Sequence, residues 1–204
     1  MRINKKKFIY LISPNKIKKS FYRDLKEVLK SKKISFFQLR LKNTSFKKKL
    51  FIGKKIKKIC KKYKTKFLIN DDVLLSKKLN ADGCHLGQKD MSIEKARYII
   101  GNKIIGITCH NSIRLAKIAI KLKANYLAFG AFNETRTKKT RYRATTKTLN
   151  KVNSLTNIPI VAIGGINSNN YKNLLLNNAN FLAISGYIWK NKKYKPLQAI
   201  ERLK

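Results

Sequence analysis

Two aspartates stand where apolar runs give way to polar residues, and they are the first candidates for chemistry. Asn70 and Asp71 close the run Phe67–Asp71, and Asp90 follows the next run, Gly83–Gly87. Mg²⁺ binds in proteins through one or two carboxylates together with substrate phosphates and waters. Either aspartate alone fits a cap before the following helix. Together, at the ends of neighbouring strands, Asp71 and Asp90 predict a Mg²⁺ site.

A second group of polar side chains suits phosphate. Strand alternation places Gln38, Arg40 and Lys42 on one side of the run Gln38–Lys42. Two cations and an amide at a strand end suit a phosphate or diphosphate, although exposed basic residues are also expected in so basic a chain. The run Thr135–Lys138 adds hydroxyls and cations, and a solvated loop explains it equally well.

Small residues end the last two predicted strands. Gly164-Gly165 and Ser185-Gly186 leave backbone N–H groups accessible, and barrels frequently hold phosphate at these last two loops. A strand-to-helix turn explains either pair alone. The recurrence one strand later favours a phosphate site.

Two Cys-His pairs, Cys84-His85 and Cys109-His110, raise the alternative of a zinc site. Adjacent residues on a strand face opposite ways, so four such side chains do not easily converge, and we expect no zinc site there. No set of nucleophile, histidine and acid residues indicates a catalytic triad.

These residues need a scaffold that brings strand ends together. Continuous apolar runs alternate with amphipathic helical segments, a pattern typical of buried parallel strands. Eight such units in 204 residues predict an α/β protein, a small single (β/α)₈ TIM barrel with short loops. We expect one domain over residues 1–204 with a core at about 8–188. The predicted strands are Phe8–Ser13, Ser35–Arg40, Phe67–Asp71, Gly83–Gly87, Lys103–Thr108, Tyr126–Phe132, Ile158–Gly165 and Phe181–Ser185.

The chain is strongly basic, with 49 Lys and Arg against 9 Asp and Glu and a net charge of +40. Such a charge attracts nucleic acid or anionic lipid. However, the lysines spread over most helical segments, and specific nucleic-acid binders favour arginine with interleaved aromatics. We therefore expect compositional bias, no specific nucleic-acid partner, and attraction of anionic substrates. Three cysteines without a C-x-x-C pair, and an N-terminal apolar run too short for a membrane span, predict a cytoplasmic protein with no membrane partner.

In order and spacing, these motifs resemble the thiamine phosphate synthase family over nearly the whole chain. The resemblance implies an enzyme that condenses 4-amino-2-methyl-5-(diphosphomethyl)pyrimidine with a thiazole phosphate, carboxylated or not. The products would be thiamine phosphate and pyrophosphate, with Mg²⁺ assisting departure of the diphosphate. The matching runs are Gln38–Lys42, Ile69–Asp71, Ala81–Asp90, Thr135–Lys138 and Ile158–Ile166, of which the H-L-G-Q-x-D and T-x-T-K parts are the most specific.

Carried over position by position, the resemblance implies three sets of site residues. Asp71 and Asp90 would bind Mg²⁺. The pyrimidine diphosphate would contact Gln38, Leu39, Arg40, Leu41, Lys42, Asn70, Thr108 and Lys138, of which Lys138, Arg40 and Thr108 are the implied catalytic residues. The thiazole phosphate would contact Thr135, Arg136, Thr137, Gly165, Ser185 and Gly186.

Three positions depart from the family pattern. The family usually has Glu where Leu41 stands, and prolines near Ala131 and Glu134, whose loss predicts a looser loop. Two alternatives are a thiazole tautomerase-like barrel and a non-catalytic, basic nucleic-acid-binding domain. The tautomerases tend to lose the metal aspartates and carry His at the position of Ala131, so Asp71 and Asp90 favour the synthase. The sequence leaves homo-oligomer formation open.

Overall fold

Eight parallel strands close into a barrel in chain order, with β8 pairing back onto β1. The structure, a computed structural model, describes residues 7–134 and 141–204. The prediction of a (β/α)₈ TIM barrel is therefore confirmed. The strands are β1 Ile9–Ile12, β2 Ile34–Leu39, β3 Lys66–Asn70, β4 Gly83–Leu86, β5 Ile104–His110, β6 Tyr126–Phe129, β7 Ile160–Ile163 and β8 Phe181–Ile184.

Helices follow the strands and cover the outside of the barrel. Polar side chains begin several of them: Ser45, Ser92 and Ser112 each accept a hydrogen bond from the backbone N–H three residues on. The last helix, α9, packs against α1 and α8. The helices are α1 Phe21–Lys30, α2 Phe46–Lys62, α3 Val73–Lys78, α4 Ile93–Ile100, α5 Ile113–Lys121, α6 Thr146–Asn153, α7 Tyr171–Leu176, α8 Gly186–Trp189 and α9 Pro196–Glu201.

The apolar side chains divide into two separate layers. The larger cluster lies between the strands and the helices, and it takes every second residue of a strand, such as Leu39 of β2. The smaller cluster fills the barrel interior around Tyr10, Phe36 and Tyr126. Because side chains alternate along each strand, Gln38 points to the interior side of β2 while Leu39 points outward.

The ring of Tyr126 occupies the barrel interior only because β5 has a glycine beside it. A Cβ atom at Gly106 would lie 1.8 Å from Cζ of Tyr126. The missing side chain therefore makes room for a large, hydroxyl-bearing ring at the centre of the barrel.

Two strands are three or four residues shorter than the sequence predicts. β6 ends at Phe129 instead of Phe132, and β7 covers Ile160–Ile163 instead of Ile158–Gly165. Gly164 and Gly165 have φ angles of +106° and +63°, which no regular strand accommodates. Across the described ranges, none of the helices is long and apolar enough to cross a membrane.

Candidate active site

The two adjacent aspartates that follow β3 have different roles. Asp71 has a φ of +63°, and its N–H donates to the backbone oxygen of His85 on β4 (2.8 Å). Asp72 is the N-cap of α3, and its carboxylate accepts from the Leu75 N–H (2.9 Å). Asp72 is therefore the residue that caps α3, and the Asp71 carboxylate does not cap this helix.

Asp90 also does not cap a helix. Its Oδ2 accepts from the Gly87 N–H (2.7 Å), which closes the turn after β4. The cap of α4 is Ser92, whose hydroxyl oxygen accepts from the Lys95 N–H (3.3 Å). The turn places the Asp90 carboxyl close enough to that of Asp71 for each group to shift the pKa of the other.

The two carboxyls and one cation form a charged row at the C-terminal ends of β2, β3 and β4. The Lys42 ammonium donates a hydrogen bond to Oδ2 of Asp71. Burial alone would raise the pKa of Asp71, but the hydrogen bonds with Lys42 and Asp90 outweigh it and hold that pKa below its usual range. Burial raises the pKa of Asp90, and the Asp71 carboxylate raises it further against the opposing effect of the Gly87 N–H. Among the described residues, Asp71 makes an ion pair with Lys42, whereas Asp90 makes none.

The rest of the Gln38–Lys42 run is fixed to the loop after β1. The Ser13 hydroxyl oxygen accepts from the Arg40 N–H (2.9 Å), and the guanidinium of Arg40 donates to Asn15 Oδ1 (2.9 Å). Gln38 is buried and donates from Nε2 to the Tyr10 hydroxyl (3.1 Å). Arg40 and Lys42 are thus at the rim, and Gln38 is at the floor between the strand ends.

Leu39 and Leu41 lie on the opposite side of this run. Both are in the apolar layer between strands and helices, so only their backbone groups face the strand ends. Leu41, where the family usually has Glu, packs as a core residue. Their contact with substrate stays a prediction that concerns the backbone.

Thr108 of β5 and His85 of β4 meet inside the mouth of the barrel. Nε2 of His85 lies 2.8 Å from Oγ1 of Thr108, and Nδ1 of His85 lies 2.8 Å from the hydroxyl of Tyr126. Asn70 pairs in register with His85, which places it at the same level of the barrel. The side chains of Gln38 and Thr108 therefore border a common polar floor.

Residues at the ends of β7 and β8 complete the rim. A Cβ on Gly165 would lie 2.4 Å from the backbone oxygen of Glu134, so the loops after β6 and β7 touch at a glycine. The Ser185 hydroxyl donates to the Ser13 oxygen (3.3 Å), which joins the end of β8 to that of β1. Gly186 begins α8 directly after it.

Both stems of the loop after β6 are held by backbone hydrogen bonds. The Ala131 N–H donates to the Tyr142 oxygen (3.1 Å), and the Ala144 N–H donates to the Ala131 oxygen (3.0 Å). The Asn133 N–H donates to the Gly164 oxygen (3.1 Å). Thr135, Arg136, Thr137 and Lys138 lie outside the described residues, and their contacts with substrate stay predictions.

In both Cys-His pairs, the cysteine and the histidine side chains lie on opposite sides of the strand. Cys84 and Cys109 are buried in the outer apolar layer, whereas the His85 ring contacts interior hydroxyls and the His110 ring stacks on Tyr142 at 4.1 Å. Over residues 7–134 and 141–204, no group of three or more His, Cys, Asp and Glu side chains is placed to hold a metal ion. A metal at Asp71 and Asp90 would therefore take its other ligands from substrate and water.

Sequence reasoning did not select Tyr10, Tyr126 or Ser13. All three lie in or beside apolar runs, where a tyrosine is normally read as a core residue. The signal that could have found the tyrosines is their register: alternation puts Tyr10 and Gln38 on the interior side of neighbouring strands.

The chain matches the family described as thiamine monophosphate synthase over residues 9–188. It is 69% identical over 207 residues to the thiamine-phosphate synthase of Pelagibacter ubique (strain HTCC1062), with 100% of each chain covered. It is 36% identical to that of Erythrobacter litoralis (strain HTCC2594), covering 94% of this chain and 92% of the relative. Among solved structures, the thiamine phosphate pyrophosphorylase from Pyrococcus furiosus superposes with a TM-score of 0.86 at 30% identity, covering 98% of this chain and 94% of the other. A barrel with paired aspartates and basic residues at its C-terminal rim, together with these matches, shows that the chain belongs to the thiamine monophosphate synthase family, whose members are transferase enzymes.

Proposed function

We propose that this enzyme joins 4-amino-2-methyl-5-(diphosphomethyl)pyrimidine to a thiazole phosphate with the help of Mg²⁺. The observation that supports it most is the pair Asp71 and Asp90, two facing carboxyls of which neither caps a helix. The bond broken is the C–O bond between the pyrimidine methylene and the diphosphate. The bond formed joins that methylene to the thiazole nitrogen, and pyrophosphate leaves with the electron pair.

The residues present fit a Mg²⁺ ion. Within residues 7–134 and 141–204, Lys42 is the one cation that forms an ion pair with these two carboxyls, through Asp71, and burial and the neighbouring Asp71 raise the pKa of Asp90. Hard carboxylate oxygens are the donors that Mg²⁺ prefers, and an ion held by two protein ligands keeps positions for diphosphate oxygens. When bound, the ion would neutralise charge that builds up on the departing diphosphate.

The protein's own cations would act on the same leaving group. Lys42 and Arg40 lie at the rim beside Asp71 and Asn15, at the height where a diphosphate would meet the two aspartates. Guanidinium and ammonium groups stabilise phosphate oxygens by charge-assisted hydrogen bonds, and they do so more strongly as negative charge develops. We extend this role to Lys138 on the resemblance alone.

The pyrimidine ring would lie on the polar floor bordered by Gln38 and Thr108. Below it, the aromatic rings of the interior layer fill the barrel, so the ring would rest on a closed surface. The thiazole phosphate would approach from the rim at Gly165, Ser185 and Gly186, where backbone N–H groups follow small residues. The thiazole nitrogen carries no proton to remove, so positioning and electrostatics suffice without a general base.

The first experiment mixes the purified enzyme with the pyrimidine diphosphate, Mg²⁺ and either form of the thiazole phosphate. We expect equal amounts of thiamine phosphate and pyrophosphate. Asp71→Ala should lower kcat by at least about 100-fold, because an electrostatic contact made in the transition state is lost. The matched control is Asp24→Ala on α1, a partly exposed aspartate paired with Arg23, which should leave the rate unchanged.

Two results would reject the proposal. Binding of phosphothiazole without pyrophosphate release would favour the tautomerase-like alternative. Tight binding to duplex DNA that is unaffected by Asp71→Ala and lost steeply with salt would favour the basic nucleic-acid-binding domain. Cytoplasmic location, the domain limits and the absence of nucleic-acid and membrane partners stay predictions from the sequence.

A further inference from the structure

A continuous chain of hydrogen bonds crosses the barrel interior beneath the active site. Gln38 Nε2 donates to the Tyr10 hydroxyl (3.1 Å), which lies 2.8 Å from the Tyr126 hydroxyl. That hydroxyl lies 2.8 Å from His85 Nδ1, and His85 Nε2 lies 2.8 Å from Thr108 Oγ1. We call these five residues the interior chain. Its two ends are side chains that we place against the pyrimidine, and its three middle members have no role in the proposed reaction.

Hydrogen counting leaves the interior chain two self-consistent directions. The Tyr10 hydroxyl is buried, and within the described ranges its partners are Gln38 and Tyr126. If Gln38 donates to it, Tyr10 must donate its own hydrogen to Tyr126, because a buried donor left unpaired is costly. Tyr126 then donates to Nδ1 of His85, so the ring carries its hydrogen on Nε2 and donates it to Thr108 Oγ1.

In this direction one end of the interior chain offers the site an acceptor and the other end offers it a donor. Gln38 turns its Nε2 inward, so its Oε1 is the acceptor available to a ligand. Thr108 accepts from His85, so its own hydroxyl hydrogen is free to donate. Reversing every bond would exchange the two characters together. With a neutral His85 ring, any mixture would leave either a buried hydroxyl hydrogen without an acceptor or two hydroxyl oxygens facing each other with no hydrogen between them.

We infer that the interior chain couples Gln38 and Thr108 so that the site selects a 4-aminopyrimidine over its 4-oxo counterpart. An amino group donates to Gln38 Oε1, and an unprotonated ring nitrogen accepts from the Thr108 hydroxyl. A 4-oxo ring presents a carbonyl acceptor and a ring N–H donor, which match only the reversed direction. Tyr10, Tyr126 and His85 are thus positioning residues that hold the direction, an inference that rests on the proposed pyrimidine site.

The direction can be read in the free protein by ¹⁵N NMR of histidine. The chain contains only two histidines, so His110→Gln assigns the signals of His85. We expect a neutral His85 ring protonated on Nε2. Tyr126→Phe should convert it to a mixture of tautomers, since Nδ1 loses its donor. Tyr171→Phe is the matched control, because it removes another buried tyrosine hydroxyl, one that donates to the Lys204 oxygen far from the chain.

The second readout is discrimination between the amino substrate and a 4-oxo analogue. It is measured as the ratio of kcat/KM for the substrate to the reciprocal of the inhibition constant of the analogue. Tyr126→Phe should reduce this ratio about tenfold, the worth of one matched hydrogen bond, whereas Tyr171→Phe should preserve it. Tyr10→Phe interrupts the interior chain at a different hydrogen bond, and it replaces Tyr126→Phe in this assay if that variant does not fold.

The outcomes separate this inference from the proposed function. A wild-type His85 protonated on Nδ1 or on both nitrogens overturns the direction. Unchanged discrimination in both tyrosine variants overturns the coupling. If the wild type makes no thiamine phosphate, while its His85 is protonated on Nε2 and responds to Tyr126→Phe, the proposed reaction fails and the hydrogen-bond direction stands.

Discussion

The facing carboxyls of Asp71 and Asp90 predict that one conservative substitution stabilises the metal-free enzyme while abolishing its response to Mg²⁺. Asp90→Asn removes the charge that is repelled by Asp71, and the asparagine Oδ1 can still accept from the Gly87 N–H. Repulsion between two partly exposed like charges, screened by solvent, is worth about 0.5–1 kcal/mol, and this is the gain we expect. For a domain of this size, that gain corresponds to an increase in Tm of about 1–4 °C.

The pH dependence of this gain has a definite sign. The folded-state pKa of Asp90 is raised, so wild-type stability falls as the pH rises through that value, while the variant lacks this loss. The advantage of Asp90→Asn should therefore be full at neutral pH and disappear below the ordinary range of a carboxyl. Asp71 behaves oppositely: its lowered pKa contributes stability above the unfolded value that is lost as the pH falls.

Thermal unfolding with and without Mg²⁺ provides the assay. At a Mg²⁺ concentration ten times the Kd, the free energy of unfolding of the wild type should rise by about 1.4 kcal/mol, and that of Asp90→Asn should hardly change. Asp24→Asn makes the same Asp-to-Asn exchange on α1. It should leave the response to Mg²⁺ unchanged and should not raise stability, because Asp24 lies in the first turn of α1, where a carboxylate stabilises the helix. A metal-free Asp90→Asn protein less stable than the wild type, or one that Mg²⁺ still stabilises in full, would refute the reasoning.

Three further substitutions test the rest of the site. Asp72→Ala should cost about 1 kcal/mol of unfolding free energy through loss of the α3 cap and leave Mg²⁺ binding intact, which calorimetry can check. Gly165→Ala places a Cβ 2.4 Å from the Glu134 oxygen at a φ of +63°, so we expect about 1–3 kcal/mol of destabilisation in denaturant titrations and a higher KM for thiazole phosphate. Lys42→Met should raise the KM for the pyrimidine diphosphate about tenfold in steady-state assays, yet change stability by less than about 1 kcal/mol, since its ion pair is half exposed; an unchanged KM would remove Lys42 from the diphosphate site.

The alternation of apolar runs with amphipathic helical segments predicted the barrel well because both patterns reflect burial. All eight strands lie where apolar runs stand, and the paired aspartates follow β3 and β4 as expected. Strand ends were less predictable: the apolar run through Phe132 continues past the end of β6, since Gly130 and Ala131 leave the ladder while remaining buried.

Contacts between distant strands could not be predicted. A tyrosine in an apolar run looks like any core residue, and only the closed barrel shows that the hydroxyls of Tyr10 and Tyr126 meet 116 residues apart. Similarly, the choice between Asp71 and Asp72 as helix cap depends on a backbone turn at Asp71 that residue types do not reveal.

The stems of the loop after β6 bear on the free energy of substrate binding. Prolines that the family usually has near Ala131 and Glu134 would restrict the unbound loop, and this chain lacks them. Instead, Ala131 exchanges two hydrogen bonds with Tyr142 and Ala144, and Asn133 is tied to Gly164. These bonds bring both ends of the segment together before any ligand arrives, so part of the loop-closure entropy is lost on folding rather than on binding. The chain thereby obtains from backbone hydrogen bonds a preorganisation that does not depend on proline, and weakening those bonds should appear as lost affinity before it appears as lost stability.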